Sequence, residues 1–591
     1  MIVLTDEQRA AVDYPSDIAL SACPGSGKTR VIIAKLIKLA ESVEDTPLSI
    51  GCITYTNAAV DEIEARIKRV GTNRLIERCE ISTIHSFCLN FILRPYGWLH
   101  PEVPKGFSIL SNKMRDFEEV VRAVEDEIGR QIGRSTFDDY ASLRRTTKGK
   151  PAGTGIESGV VTPETAARYW EIVRGRGYLD FAMILYYSFL ILKNHPFVAK
   201  GIACRFAWLL VDEFQDTTDV QIAIFALLRR HLHTRFFLVG DEHQSINGFA
   251  GADSNLGHRF CDHIEADRTH ALSGNFRCAP QIVTPAQTLI PREPKMHARG
   301  PAANCEGIVQ YEHVENPKAG IEDYFLPALE ALGIPYGKAA VLAPWWIHLV
   351  PVARHLRDLK VPVFGPGARP YKGSRLYARL AEELGSCIEQ GALFDPSGVE
   401  KALFRLINEV MGQTRFDIFS YDGRRTSLAL IMEAKRLATL HEGAVAWLEA
   451  SSVSIGKILV REEWITPSAA KALVSSVENM KIDMKIAMKR SVDVDNMVIS
   501  DLGLFANPDH AIKLITMHTA KGREFEAVAI INANDGHIPF FATMDDPEKV
   551  SESQRLFYVG LTRAKQYLLV LSDQTDSRRP PSRFVAQSGL S

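Results

Sequence analysis

The sequence predicts an α/β protein with two parallel-sheet cores, each interrupted by a mainly helical insertion. Three observations carry that expectation. Short apolar runs alternate with helix-period segments over residues 1–90, the pattern of strand–helix–strand units in a parallel sheet. The alternation returns at Trp208–Val211 and Phe236–Val239, then from Leu272 through Ala339–Ala343, Ile512–Ile515 and Tyr567–Leu571. Between these blocks, residues from about 91 to 170 and from about 371 to 507 read as helices.

Taken in order, Thr5 caps a helix running to Val12, with Gln8 three residues on to close a capping box. Ile18–Leu20 is a strand and Val31–Ile37 a helix; Ser49–Tyr55 and Ala58–Ile63 repeat the pair, and Ile81–Phe87 opens a third. The polar run Arg144–Pro151 reads as a loose basic loop. Met480, Met484 and Met488 fall at i, i+4 and i+8, a stripe expected to fill core. These readings divide the chain into a first core at 1–90 and 171–271 with an insertion at 91–170. A second core follows at 272–370 and 508–591, with an insertion at 371–507.

A chain of 591 residues, 46% hydrophobic and 24% charged, has ample apolar material for several cores. Its net charge of −2 confines any nucleic-acid site to a local track of cations and aromatics. Nine scattered cysteines without a CxxC pair argue against a zinc ribbon, an iron–sulfur cluster or a disulfide framework, and suit a reducing compartment. The first residues carry no basic n-region, and no run is apolar for long enough to span a bilayer. A cytoplasmic protein without a membrane partner is therefore expected.

The chemistry concentrates at Ser21–Thr29. Gly25 and Gly27 permit a turn that a Cβ would block, and its N–H groups, backed by a helix N-terminus, suit a polyphosphate. Lys28 would reach the β- and γ-phosphates, and the Thr29 hydroxyl would hold Mg²⁺. Ala22 stands where the general GxxxxGK[ST] pattern begins with glycine. A second apolar strand, Leu209–Val211, ends in Asp212 and Glu213 at the edge where parallel sheets bind ligands. Asp212 would complete the metal site, and Glu213 would orient or deprotonate the attacking water.

Asp212–Thr217 resembles the DEFQDT signature of the UvrD/Rep/PcrA group of superfamily 1 helicases, and further motifs follow in that family's order. Gln8 lies in a segment similar to the adenine-reading Q motif. Ala22–Thr29 resembles motif I, where alanine commonly opens the pattern. Ile53–Asn57 resembles motif Ia, Thr83–Phe87 the TFHS segment, and Val239–Ile246 motif III. Asn275–Arg277, Thr516–Phe525 and Tyr558–Ala564 resemble motifs IV, V and VI. The resemblance implies two RecA-like domains with ATP in the cleft between them.

It assigns catalysis to Lys28, Asp212, Glu213, Gln244, Arg277 and Arg563, with the two arginines acting from the second domain. Nucleotide contacts fall to Gln8, Ala22, Cys23, Pro24, Gly25, Ser26, Gly27, Lys28, Thr29, Arg30, Phe276 and Glu524, and Mg²⁺ to Thr29 and Asp212. Contacts to single-stranded DNA are implied for Tyr55, Thr83, His85, Phe249, Thr516 and His518. The family's QSIYGWRGA reads Gln244–Ala252 here, with Asn247, Phe249 and Ala250 replacing larger or charged residues. The implied function is 3′→5′ translocation on single-stranded DNA and its junctions with duplex. The other expectation is a DNA-sensing ATPase subunit, similar to the GajB-type helicase subunits of anti-phage systems, working with a separate nuclease or defence partner.

Overall fold

Two six-stranded sheets, parallel at every pairing, organise the chain. The computed structural model describes residues 2–70, 76–112, 114–133, 136–231, 234–246, 248, 251, 254–365, 369–373, 375–391, 394–411, 417, 420–488, 497–575 and 578–590. They form two compact units: Met1–Glu306 with Asp546–Tyr558, and Gly307–Asp545 with Val559–Ser591.

The large sheet of the first unit is built from β1 (Ile18–Ala22), β2 (Ser49–Thr54), β3 (Cys79–Thr83), β4 (Phe206–Val211), β5 (Arg235–Gly240) and β6 (Ala271–Leu272), in the order β6-β1-β5-β4-β2-β3. Helices α1 (Asp6–Asp13), α2 (Lys28–Ser42) and α3 (Asn57–Val70) flank them. Strands covered on both faces read as continuous apolar runs, as FAWLLV does in β4. Trp208 and Leu210 join one apolar cluster with Val31, Ile32 and Leu36 of α2, while Leu209 and Val211 join another with Phe225 and Phe260.

The stretch between β3 and β4 is chiefly helical, centred on Trp170, Tyr169, Tyr140 and Phe117. The basic run is not a loose loop. Arg144–Arg145 pairs antiparallel with Pro151–Ala152, the Arg145 guanidinium lies 4.5 Å from the Trp170 ring centre, and Asp219 accepts from the Thr147 N–H at 2.8 Å. Cation–π contact and a charged acceptor replace the solvation expected of an open loop.

A second departure concerns the expected boundary at 272. Ala271–Leu272 completes the first sheet by pairing with Ser21–Ala22, and Asn275–Arg277 follow in the first unit. Strands of the second unit begin at β7 (Ile308–Val314), followed by β8 (Ala339–Ala343), β9 (Val363–Phe364), β10 (Ile512–Thr516), β11 (Phe525–Ile530) and β12 (Ala564–Asp573). Their order is β7-β12-β11-β8-β10-β9. Among the described residues between β9 and β10 the elements are helices, from Ala378–Glu389 to Ile499–Ala506. Met480 and Met484 are buried there; the side chain of Met488 lies outside the described residues.

Candidate nucleotide site and nucleic-acid edge

The glycine-rich turn joins buried β1 to α2. Gly25 and Gly27 have φ of 67° and 80°, in the left-handed region, and Gly27 caps α2 without a side chain closing its first turn. A Cβ at Gly25 would fall 2.6 Å from Asn275 Oδ1 and 2.7 Å from Arg277 Cβ, so the turn admits only glycine on steric grounds as well. The Phe276 N–H donates to Gly25 O at 2.8 Å, and Asn275 Oδ1 accepts from the N–H groups of Arg277 and Cys278 at 2.8 and 2.9 Å. Motif IV is thus hydrogen-bonded directly to the turn within the first unit, and Arg277 does not act from the second as expected.

Gln8 closes the predicted capping box: its Oε1 accepts from the Thr5 N–H at 3.1 Å, and its own N–H donates to Thr5 Oγ1 at 3.3 Å. Its Nε2 donates to Ser26 O at 2.9 Å, so this buried amide clasps the turn from below. Ala22, Cys23, Pro24 and Ser26 are buried, whereas Lys28 and Thr29 are half-buried and Arg30 is exposed. Burial pushes the Cys23 thiol up to about 12, which keeps it protonated and unreactive.

Lys28 Nζ lies 3.5 Å from Glu213 Oε1, joining the turn to the acidic end of β4. Glu213 has φ 50°, uncommon outside glycine, and Gln215 Nε2 donates to its Oε2 at 2.5 Å. The carboxylate therefore has a fixed direction at a backbone conformation that costs about 1–3 kcal/mol. Burial, and then the charge on Glu213, raise the Asp212 pKa against the opposing pull of Lys28.

A polar chain continues from Glu213. Gln215 Oε1 accepts from the Asp241 N–H at 2.9 Å, and Asp241 Oδ2 accepts from Gln244 Nε2 at 2.6 Å. Buried Arg292 donates to both Asp241 carboxylate oxygens, at 3.4 and 3.3 Å, and to Tyr558 Oη at 3.4 Å. Nothing in the sequence singled out Arg292; its role follows only from the fold bringing it to Asp241.

These residues fit a magnesium–nucleotide. The turn is a cradle that a Cβ would fill, and the first turn of α2 has no side-chain cap. Ser26 Oγ is buried without a hydrogen-bond partner among the described residues. The donor set pairs one lysine with two crowded carboxylates, one of them destabilised by burial.

Other assigned residues stand apart. Phe276 is half-buried, its ring against the backbone of Gly300. In the second unit, Arg563 is buried and donates to Val559 O at 2.9 Å and Arg523 O at 3.2 Å. Glu524 pairs with Lys565 at 3.1 Å.

Tyr55 and Thr83 leave the carboxyl ends of neighbouring strands β2 and β3. Tyr55 is exposed, whereas Thr83 Oγ1 is used as a helix cap, accepting from the Ser86 N–H. His85 meets exposed Phe181 edge-on, with ring centres 5.3 Å apart; Phe181 escaped the sequence reading because an isolated aromatic carries no motif signal. Burial lowers His85 and His518 to about 4, leaving both imidazoles neutral near pH 7. Thr516 Oγ1 and Thr519 Oγ1 share a hydrogen bond of 2.9 Å. Asn247, Phe249 and Ala250 lie outside the described residues.

Comparison with known proteins bears on this arrangement. Residues 4–264 match the UvrD/REP helicase N-terminal domain, and residues 471–575 match the UvrD-like helicase C-terminal domain. The chain is 25% identical to DNA helicase II of Escherichia coli across 99% of this chain and 87% of that protein. It is 24% identical to the ATP-dependent DNA helicase Rep of Buchnera aphidicola, over 96% and 91% of the two chains, and 26% identical to the ATP-dependent DNA helicase UvrD1 of Mycobacterium bovis, over 99% and 85%. The first match spans β1 to β5 with the turn and both acids, and the second spans β10 to β12 with motifs V and VI. With two parallel sheets carrying its ordered motifs, the chain belongs to the UvrD/Rep/PcrA-like family of superfamily 1A helicases.

Proposed function

We propose that this protein is an ATP-dependent DNA helicase that uses magnesium–ATP hydrolysis to move 3′→5′ along single-stranded DNA. The observation that carries the proposal is the Lys28–Glu213 contact, which brings a polyphosphate-shaped turn and an oriented carboxylate to one sheet edge. Lys28 and the first turn of α2, which no side chain caps, bind the phosphates. Thr29 and Asp212 would hold magnesium, which would neutralise charge on the phosphate oxygens. Glu213, fixed by Gln215, orients the attacking water and accepts its proton.

Gln244, held by Asp241, reads the terminal phosphate and passes its state along the chain through Gln215 to Glu213. Arg277 neutralises charge beside the turn, and Phe276 supplies a ring for the base. Gln8, whose amide keeps a second N–H beyond the one given to Ser26 O, reads the adenine. Glu524 and Arg563 take their roles from the family resemblance alone. The exposed Tyr55 and the half-buried His85 contact the strand in the first unit, and Thr516 and His518 do so in the second; bases stack on such aromatics without regard to sequence. Relatives that carry helicase names across nearly the whole chain do not favour the anti-phage regulatory reading.

Strand separation on duplexes with either a 3′ or a 5′ single-stranded tail tests the proposal. ATP-dependent release from the 3′-tailed duplex alone is expected. Release from the 5′-tailed duplex alone would reverse the polarity, and release from neither would remove the helicase step.

A further inference from the structure

The carboxyl edge of the second sheet carries an aromatic cluster that no motif describes. Strand β8 ends at Ala343, and Trp345 and Trp346 follow as the N-cap and first residue of the helix Trp346–Asp358. Neighbouring β11 ends at Ile530, and its loop brings Phe540 to Trp345, with ring centres 5.5 Å apart, and Phe541 to Phe540 at 4.5 Å. Large apolar rings at a domain surface ordinarily fold inward. Here Trp345 is 45% exposed, Trp346 59% and Phe541 62%.

Strand β10, on the other side of β8, leads into Thr516–His518. The register pairs Ala343 with Thr516, and Ala343 O accepts from the Met517 N–H at 3.0 Å. One edge therefore presents exposed rings, the motif V turn and, in that turn, Lys521 and Arg523.

We infer that Trp345, Trp346 and Phe541 form a stacking platform for the bases of single-stranded nucleic acid, continuing the strand track beyond the motif V turn. The inference rests on the proposed DNA-translocating function. Rings that stack on bases need open faces, and cations one turn away suit the phosphates between those bases.

The test is binding of fluorescein-labelled oligo(dT), measured by anisotropy over a salt series, for the full chain and for W345A/W346A. Each lost stack should weaken binding roughly 5- to 150-fold, without changing the slope of log Kd against log salt. An oligonucleotide with abasic sites should bind both proteins equally weakly, and W345Y/W346Y should recover most of the loss. ATPase activity without oligonucleotide should be unchanged, because neither ring belongs to a nucleotide-binding motif. Binding by W345A/W346A within twofold of wild type would overturn the platform and leave the rings to a protein partner. Absence of oligo(dT) binding by the wild-type chain would overturn both this inference and the proposed function. Should the double variant unfold, W346A alone, at the more exposed of the two rings, decides by the same criteria.

Discussion

Replacing Arg292 with methionine removes a buried cation while keeping much of its volume, so the charge effect is isolated from a cavity effect. The Arg292 side chain is 6% exposed and the Asp241 side chain 0%. Breaking a buried ion pair from one side costs about 3–5 kcal/mol, because the remaining charge has no solvent. Two features set the expectation near 3 kcal/mol, at the low end of that range. The contacts are long for charge-assisted bonds, at 3.3 and 3.4 Å, and Asp241 also accepts from Gln244 Nε2 and the His243 N–H.

Hydrogen exchange over residues 235–246 is the suitable assay, because a chain of two units does not unfold in one step. Turnover should fall roughly five- to tenfold, the value of one oriented hydrogen bond, as Gln244 loses its fixed partner. R292M/D241N removes both charges and should recover the protection but not the turnover. Protection within about 1 kcal/mol of wild type, the size of an ordinary single-site effect, would show that Arg292 does not hold Asp241 in place.

Further substitutions separate binding from chemistry. Glu213→Gln should keep magnesium–ATP affinity and lose most turnover, as read by equilibrium binding beside steady-state phosphate release; near wild-type turnover would remove Glu213 from its role. Lys28→Ala should weaken nucleotide binding itself, since it deletes the charge set on the phosphates. Gly25→Ala should cost at least 1 kcal/mol from its positive φ alone and abolish nucleotide binding by forcing Asn275 and Arg277 apart from the turn; isothermal titration checks it. Burial depresses the folded pKa values of His85 and His518 to about 4, from the 6.5 of an ordinary imidazole. Their contribution to stability is present above pH 6.5 and is lost as pH falls towards 4. Thermal unfolding of H85Q and H518Q should therefore depend less on pH in that window than the wild type, and parallel curves would contradict their burial as neutral rings.

The parallel sheets, the phosphate turn and the acid pair were legible because each leaves a local mark: an apolar run, a glycine spacing, two carboxylates after a strand. Gly25, Gly27, Asp212 and Glu213 needed nothing distant to be recognised. The place of Asn275–Arg277 was not legible, because it depends on a hydrogen bond from Phe276 to a turn some 250 residues earlier in the chain. The docking of Arg145 on Trp170 and the coupling of Arg292 to Asp241 were hidden for the same reason. Their partners are set by tertiary structure, and an arginine in sequence carries no sign of what it will meet. Exposure was equally hidden: nothing local marks Trp345, Trp346 or Phe181, and only the fold leaves them at sheet edges or in the open.

The central claim is that hydrolysis at the Lys28–Glu213 site serves movement on single-stranded nucleic acid. The most direct measurement is steady-state ATPase activity of the full chain with magnesium, with and without saturating oligo(dT), beside Glu213→Gln as the control. The account predicts a rate that rises severalfold with oligonucleotide, by population shift towards a hydrolysis-competent state, and that stays near background in the variant. A rate indifferent to oligonucleotide, or one that survives Glu213→Gln, would contradict it.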